Sequence, residues 1–427
     1  MSDTIYALSS GAPPAGVAVI RVSGPGARNA LQQLAGRVPA ERRASLALLK
    51  DPRGGGLLDR ALVLWLPAPQ TVTGEDMAEF HCHGGRAVVA AVETALGTLP
   101  GLRRAIAGEF TRRAFEQGRM DLNAVEGLSD LLAAETDQQR RAALLMAEGH
   151  FSRHVERWRS DLLTLSAMAE AALDFSDEDD VPDQGIETHI VNGVRVLGED
   201  VGRALEAPSA ERLRDGIRVV LAGPPNAGKS TLLNALVGRD AAIVSPLAGT
   251  TRDRIEVPVA IGGTAFLFTD TAGLREEAGD AVEAIGMDRT RAALDGADII
   301  LWLGGGNDLP RDDAVLIAAQ CDRDPATARP GLALSAVTGA GLDQLVALLL
   351  ERAATLLPGD GEVALHVRQR DATGMLHHHL TMAAGTDDLL VLAEELRQAR
   401  RAIDALTGRA GTEDMLDRLF SGFCIGK

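Results

Sequence analysis

The segment GPPNAGKS, from Gly223 to Ser230, has the residue types and spacing of a phosphate-binding loop. It matches G-x-x-x-x-G-K-S, follows the buried-strand pattern of Ile217–Ala222 and precedes an apolar helical pattern, which is the context that this motif requires. Glycines let backbone N–H groups turn toward phosphate oxygens, and the start of the helix adds partial positive charge. We expect Lys229 to reach the β and γ phosphates and Ser230 to ligate Mg²⁺.

Two more motifs follow in the order of a nucleotide-dependent switch. GTTRD supplies Thr250 and Thr251, one of which can close on Mg²⁺ and the γ-phosphate. DTAG follows the strand-like AFLFT; there Asp270 is expected to bind Mg²⁺ through water, and the Gly273 N–H to sense the γ-phosphate. Three motifs in this order predict a phosphate-switch domain.

The residues that select the base are less complete. Guanine is usually read by N-K-x-D after a strand, and here the tetrad is A-Q-C-D, ending at Asp322. The later S-A-K signal is Ser335, Ala336 and Val337, so its Lys is also missing. We expect guanine selectivity through Asp322, a base contact from the Ala336 N–H, and reduced affinity or unusual packing above the ring.

The usual water-positioning Gln after D-x-x-G is also replaced. Leu274 stands there and cannot hydrogen-bond, so another group must orient the attacking water. Glu276, Glu277, Asp280 and Glu283 follow closely, and at this point they remain alternatives.

Asn226 offers a second route to transition-state stabilisation. Its side-chain oxygen is expected beside the bridge between the β and γ phosphates, where it can help hold a monovalent cation. Such a cation would neutralise developing charge as an arginine finger does.

Composition limits the class of protein. The 427 residues suggest two to four domains, and the net charge of −17 argues against non-specific coating of nucleic acid, while an RNA substrate stays open. No apolar run reaches the roughly 18 residues that span a bilayer, so we expect no membrane association. The first residues lack a basic region followed by an apolar stretch, so we do not expect a secretory signal. The three cysteines lie far apart, which predicts a reducing, cytoplasmic compartment.

The elements that position these residues form an interrupted pattern. Residues 1–118 read as mixed α/β, with strands at 16–24, 60–67 and 77–83. Residues 119–213 and 357–427 read as helical, and 214–356 alternate strand and helix as in a parallel sheet. We predict an N-terminal α/β domain and a discontinuous helical domain that carries an inserted Ras-like P-loop GTPase domain.

Together these motifs resemble the tRNA modification GTPase family MnmE, also called TrmE, over essentially the whole chain. The most specific points are AVIRVSG, TGED, GEFTRRAF, MDLNAVEGLSDLL and the terminal FCIGK. The resemblance implies an N-terminal domain that binds folate and forms a homodimer. It also implies action with the flavoprotein MnmG on the tRNA wobble uridine, where an aminomethyl or carboxymethylaminomethyl group is added at carbon 5.

The resemblance further implies roles for residues of the GTPase domain. K⁺ would be held by Asn226, Ser245, Leu247 and the region of Thr250, and Mg²⁺ by Ser230 and Thr251. The family's catalytic Glu lies in V-E-x-I-G, which selects Glu283, although one extra residue precedes that motif here. The residues assigned to the nucleotide are Asn226, Ala227, Gly228, Lys229, Ser230, Thr231, Ser245, Thr250, Thr251, Asp270, Thr271, Ala272, Gly273, Asp322, Ser335 and Ala336.

For 5-formyltetrahydrofolate, or methylene-tetrahydrofolate, the resemblance points to Arg21, Glu79, Arg119 and the terminal Lys427. The two carboxylates of a folate suit Arg and Lys, and the pterin N–H groups suit a Glu. Cys424 of FCIGK is either functional or a small buried residue.

Three functions remain as hypotheses. The first is a K⁺-activated GTPase of tRNA wobble-uridine modification. The second is an rRNA-binding ribosome-assembly GTPase, although no basic RNA-binding module is visible. The third is a non-catalytic nucleotide-binding scaffold, suggested by the eroded base-reading motifs.

Overall fold

The computed structural model describes residues 3–174, 184–238, 242–243, 256–270, 290–306, 308–323, 330–359, 361–409 and 413–427. The chain forms two compact units, one of Met1–Ser129 with Thr407–Lys427 and one of Asp130–Leu406. The acidic segment after Asp174 and most of both switch motifs lie outside the described residues. No helix in the described ranges is long and apolar enough to cross a membrane.

The first unit is built on a six-stranded sheet with the order β3-β4-β5-β2-β1-β6. Its strands are β1 (Thr4–Leu8), β2 (Ala15–Ser23), β3 (Ser45–Lys50), β4 (Leu57–Leu66), β5 (Met77–Gly84) and β6 (Leu102–Arg104). Its helices are α1 (Ala27–Ala35), α2 (Arg86–Gly97), α3 (Glu109–Glu116) and α13 (Glu413–Ser421), and α4 (Leu122–Ala133) begins in it. The predicted strands correspond to β2, β4 and β5; the short β1, β3 and β6 were not predicted.

Alternating side chains of this sheet pack under α1 and α2. Ala47, Ala61, Val63 and Phe80 lie in that buried core. The other face therefore carries the side chains between them.

The second unit contains a seven-stranded sheet with the order β13-β12-β11-β7-β10-β9-β8. The strands are β7 (Ile217–Ala222), β8 (Ala242–Ile243), β9 (Glu256–Ile261), β10 (Thr264–Asp270), β11 (Ile299–Trp302), β12 (Val315–Ala318) and β13 (Leu332–Ala333). β7 pairs in parallel with both β10 and β11, and β9 runs antiparallel to β10. The helices that accompany this sheet are α8 (Ala210–Asp215), α9 (Lys229–Val237) and α10 (Leu342–Leu356).

Helices from both sides of this α/β segment share one core. They are α5 (Asp137–Ala147), α6 (His150–Asp174), α7 (Gln184–Leu205), α11 (Val367–Ala384) and α12 (Leu389–Thr407). Trp158, Leu197, Leu376 and Ile403 meet in it, so the helical part is discontinuous in sequence, as predicted. A capping box at Thr136 starts α5, which interrupts the helical pattern of the sequence.

The C-terminal tail is fitted closely to the first unit. Gly108 has φ +69°, and a Cβ added there would lie 2.2 Å from the Phe420 carbonyl oxygen. Gly118 has a similar φ of +65° but open space around it. The two glycines therefore differ in crowding and not in backbone conformation.

We expect Gly108→Ala to destabilise the protein by more than Gly118→Ala. A left-handed L-residue costs roughly 1–2 kcal/mol, and only Gly108→Ala adds a collision with backbone. Urea unfolding of both variants checks this, and equal losses would contradict the packing described.

Candidate functional site

The phosphate loop joins the end of β7 to the start of α9 and depends on glycine at two points. Gly223 has φ +149°, and a Cβ there would lie 3.1 Å from the Leu303 carbonyl carbon. Gly228 is the N-cap of α9, with φ 95°. These conformations suit glycine and turn the loop so that it ends at the positive end of a helix.

The Lys229 side chain closes this loop. It is only 6% exposed, and its Nζ donates to the carbonyl oxygens of Gly223 at 3.0 Å and Pro224 at 2.9 Å. Phosphate oxygens are stronger partners for an ammonium than neutral carbonyls. The loop thus holds a charge that phosphate can recruit.

Ser230 and Asp270 meet beside the loop. Parallel pairing sets Asp270 opposite Leu221, which brings the ends of β10 and β7 together. The Ser230 Oγ donates to Asp270 Oδ2 at 2.5 Å, and Asp270 is 6% exposed. A hydroxyl and a carboxylate are oxygen ligands of the kind that Mg²⁺ prefers.

The predicted base-reading residues come from two separate loops. The Cys321 N–H donates to the Leu334 carbonyl at 3.1 Å, which joins the segment after β12 to the one after β13. The Ser335 hydroxyl, fully buried, lowers the pKa of Asp322 by hydrogen-bonding to its carboxylate. Ser335 Oγ also accepts from the Thr338 N–H at 3.1 Å.

A pocket of about 390 Å³ opens beside the loop. It lies where the sheet order reverses between β7 and β11, the position where open α/β sheets bind ligands. Its polar side chains are Asn226 and Gln320. Gln320 was not predicted as a site residue. The sequence signal that could have identified it is its position as the second residue of the altered tetrad A-Q-C-D.

In the first unit, Arg21 and Glu79 are cross-strand partners on β2 and β5. Arg21 donates through Nε and Nη2 to Glu79 Oε1 at 3.1 and 3.0 Å, and His81 Nε2 lies 3.0 Å from Glu79 Oε2. Burial acts most strongly on the Glu79 carboxyl and raises its pKa, but His81 and Arg21 outweigh it, so the pKa of Glu79 is lowered.

The C-terminal residues lie beside this ion pair. The Arg21 guanidinium lies 5.9 Å from the centre of the Phe110 ring, and the Phe110 N–H donates to the Lys427 carbonyl at 3.2 Å. Gly426 has φ +97°, and a Cβ there would lie 2.0 Å from the Leu8 carbonyl oxygen. Tight docking of the tail thus bonds the Lys427 backbone to Phe110, the residue whose ring lies beside Arg21.

The other two predicted residues of the first unit are Cys424 and Arg119. Cys424 is an exposed free thiol and not a buried packing residue. Arg119 packs beside the TGED turn, with Cγ 3.3 Å from where a Gly74 Cβ would stand.

Two protein-family models match this chain, and together they cover residues from both units. The model described as "GTP-binding protein TrmE N-terminus" matches residues 4–119, and the model "MnmE helical domain" matches residues 122–424. Proteins named "tRNA modification GTPase MnmE" are 62% identical in Rhizorhabdus wittichii (100% of this chain, 97% of that one) and 57% in Erythrobacter litoralis (100% of both). The protein of that name in Sphingopyxis alaskensis is 55% identical over 96% of this chain and 100% of its own.

The chain belongs to the MnmE family of tRNA modification GTPases. Membership confirms the predicted fold class, GTP as the nucleotide, a GTP hydrolase activity and the involvement of tRNA. It favours the first of the three hypotheses over ribosome assembly and over a non-catalytic scaffold. The solved G domain of the T. maritima FeoB iron transporter aligns with 32% of this chain and 98% of its own at 24% identity, with a TM-score of 0.24, too low to bear on the fold.

The predicted residues of this MnmE-family site divide into two groups. The described ones lie in the loop after β7 and the first turn of α9, at the last residue of β10, and in the segments after β12 and β13: Asn226 to Thr231, Asp270, Asp322, Ser335 and Ala336. The remaining predicted residues lie outside the described residues: Ser245, Leu247, Thr250, Thr251, Thr271, Ala272, Gly273 and Glu283.

We expect Ser335→Ala to raise the pKa of Asp322 toward its ordinary value. The native hydrogen bond favours the charged carboxylate, so its removal makes protonation begin at a higher pH. Carboxyl NMR titration measures this directly. Ser421→Ala, which removes a hydroxyl bound to the Arg418 carbonyl, is the control; an unchanged Asp322 titration in Ser335→Ala would refute the assignment.

Proposed function

We propose that this chain is a K⁺-activated, Mg²⁺-dependent GTPase that acts with the flavoprotein MnmG. The pair adds an aminomethyl or carboxymethylaminomethyl group at carbon 5 of the tRNA wobble uridine, using a one-carbon unit carried by tetrahydrofolate. The observation that carries the proposal is a complete phosphate loop in a chain whose family is tRNA modification GTPases.

The nucleotide half of the proposal assigns Mg²⁺ to Ser230 and Thr251, with Asp270 acting through water. The contact between Ser230 and Asp270 supports it, because the two ligand positions already adjoin. Asp322, Ser335 and Ala336 are proposed to hold the guanine, which two joined loops support.

K⁺ is proposed to take the role that an arginine finger has elsewhere, which is to neutralise charge that develops beside the β–γ bridge. Leu274 offers no polar group, so the attacking water must be oriented by another residue. Asn226 is exposed at the mouth of the phosphate loop and is proposed as a K⁺ ligand. Ser245, Leu247 and Thr250 would complete the coordination, and Glu283 would orient the attacking water.

Folate is proposed to bind in the first unit at Arg21, Glu79, Arg119 and Lys427. Glu79 is 15% exposed at its side chain and carries its charge between Arg21 and His81. A carboxylate has about four acceptor positions, so pterin N–H groups can share it with these partners. Cys424 is an exposed thiol in the same C-terminal segment as Lys427, and we propose it as a functional thiol.

A homodimer is proposed to form through the first unit. Leu46 and Leu62 face each other across β3 and β4, and they are 56% and 45% exposed. Leu48, also on β3, is 45% exposed. Apolar side chains grouped on an open sheet face mark interaction surfaces, and a self-complementary face suits a twofold dimer.

The domain bounds are proposed as 1–118, 119–213, 214–356 and 357–427. A cytoplasmic location is proposed because all three cysteines are free thiols, which a reducing compartment maintains.

We expect GTP turnover to be at least about tenfold faster in KCl than in NaCl, because a bound cation stabilises the transition state. Asn226→Ala should remove most of that difference, whereas Asn192→Ala on α7 should retain it. Rates measured with each salt at equal ionic strength check this. Equal rates in both salts for the native chain would refute K⁺ activation.

We expect Arg21→Gln to weaken 5-formyltetrahydrofolate binding about tenfold or more, since charge-assisted hydrogen bonds contribute roughly 1.5–3 kcal/mol. Calorimetry measures the affinity, and mass spectrometry of wobble uridines from a complemented deletion strain measures the consequence. Arg104→Gln, which loses only an exposed ion pair with Glu93, is the control. Native folate affinity with full modification in Arg21→Gln would contradict the assigned site.

A further inference from the structure

Two residues in the GTPase part share an unusual backbone conformation. Within the described ranges, the non-glycine residues with positive φ are Arg42 at 57°, Asn226 at 61° and Gln320 at 60°. Left-handed non-glycine residues are uncommon and concentrate at functional sites, where their surroundings hold them. Asn226 and Gln320 come from different loops of one unit.

A hydrogen bond joins these two residues directly. The Gln320 side-chain Nε2 donates to the Asn226 carbonyl oxygen at 3.3 Å. Because a backbone carbonyl only accepts, the amino end of the Gln320 amide must face the phosphate loop.

The other end of the Gln320 amide is also fixed. The Arg323 Nη1 donates to Gln320 Oε1 at 3.4 Å, and an arginine cannot accept. A Cβ added to Gly228 would lie 3.4 Å from Gln320 Nε2. The amide therefore lies across the loop from Asn226 to Gly228, with its orientation set from both ends.

This contact joins the two halves of the nucleotide site. Gln320 precedes Asp322 by two residues on the segment that leaves β12, and Asn226 lies between β7 and α9. The base-reading segment and the phosphate loop are therefore linked at Asn226 by this hydrogen bond.

We propose that Gln320 is a positioning residue that holds Asn226 in its left-handed conformation and so couples base reading to phosphate and K⁺ binding. Gln320 replaces the Lys of N-K-x-D in this chain, and its amide supplies a donor to the phosphate loop. The K⁺ part rests on the proposed function of Asn226, whereas the nucleotide part does not.

The test compares Gln320→Leu, Gln320→Glu and Gln320→Lys in the full chain. Loss of the donor in Gln320→Leu or Gln320→Glu should raise the Kd for both GTP and GDP about fivefold, the effect of one ordinary hydrogen bond. It should also raise the K⁺ concentration for half-maximal hydrolysis. Gln320→Lys restores a donor and should stay within about twofold of native values.

Gln398→Leu is the matched control, since Gln398 gives its amide to Glu394 on α12; its affinities should equal those of the native chain. Native affinities in both Gln320→Leu and Gln320→Glu, or a Gln320→Lys variant as weak as Gln320→Leu, would overturn the proposal. If Gln320→Leu unfolds, the nucleotide affinities of the nearly isosteric Gln320→Glu show whether loss of the amide donor weakens binding. If the native chain shows no K⁺ stimulation, the K⁺ role of Asn226 fails, and the nucleotide affinities still decide the role of Gln320.

Discussion

The nucleotide site depends on the parallel pairing of β7 with β10 and β11. Parallel strands end at the same edge of a sheet, so the phosphate loop and Asp270 are brought together by backbone hydrogen bonds. β12 continues the sheet beside β11 and delivers the segment with Gln320 and Asp322 to the same edge. Every contact proposed for GTP therefore depends on the strand register that places Asp270 opposite Leu221. A slip of one residue in this register would turn the Asp270 side chain to the other face of the sheet.

The first unit obtains its site by a different constraint. Cross-strand pairing places Arg21 opposite Glu79, and burial makes each charge depend on the other. The C-terminal tail docks on the same unit because Gly108 and Gly426 let backbones approach more closely than any side chain permits. The sheet thus closes the wide spacing in sequence between Arg21 and Glu79, and the docked tail bonds the Lys427 carbonyl to the Phe110 N–H.

The sequence predicted those helices and strands that have clear apolar periodicity or clear boundary residues. The strands β2, β4, β5 and β7 and the helices α7, α11 and α12 follow from apolar spacing bounded by Gly, Pro or capping residues. The strands β1, β3 and β6 were not predicted, because the strand preference of a segment depends on its packing against neighbouring strands as much as on its own residues. The break before α5 rests on the capping box of Thr136 and Gln139, a signal present in the sequence but weaker than the surrounding helical pattern.

The sequence alone determined the chemistry of the phosphate half, because the loop, its lysine and Asp270 are local motifs with fixed geometry. Motifs spread along the whole chain also indicated the family. Only the tertiary structure decided what Gln320 does, since its partner Asn226 is distant in sequence and the contact depends on two left-handed residues. Likewise, the strand pattern predicts the face of β5 on which His81 lies, but only the packing shows that its ring meets Glu79.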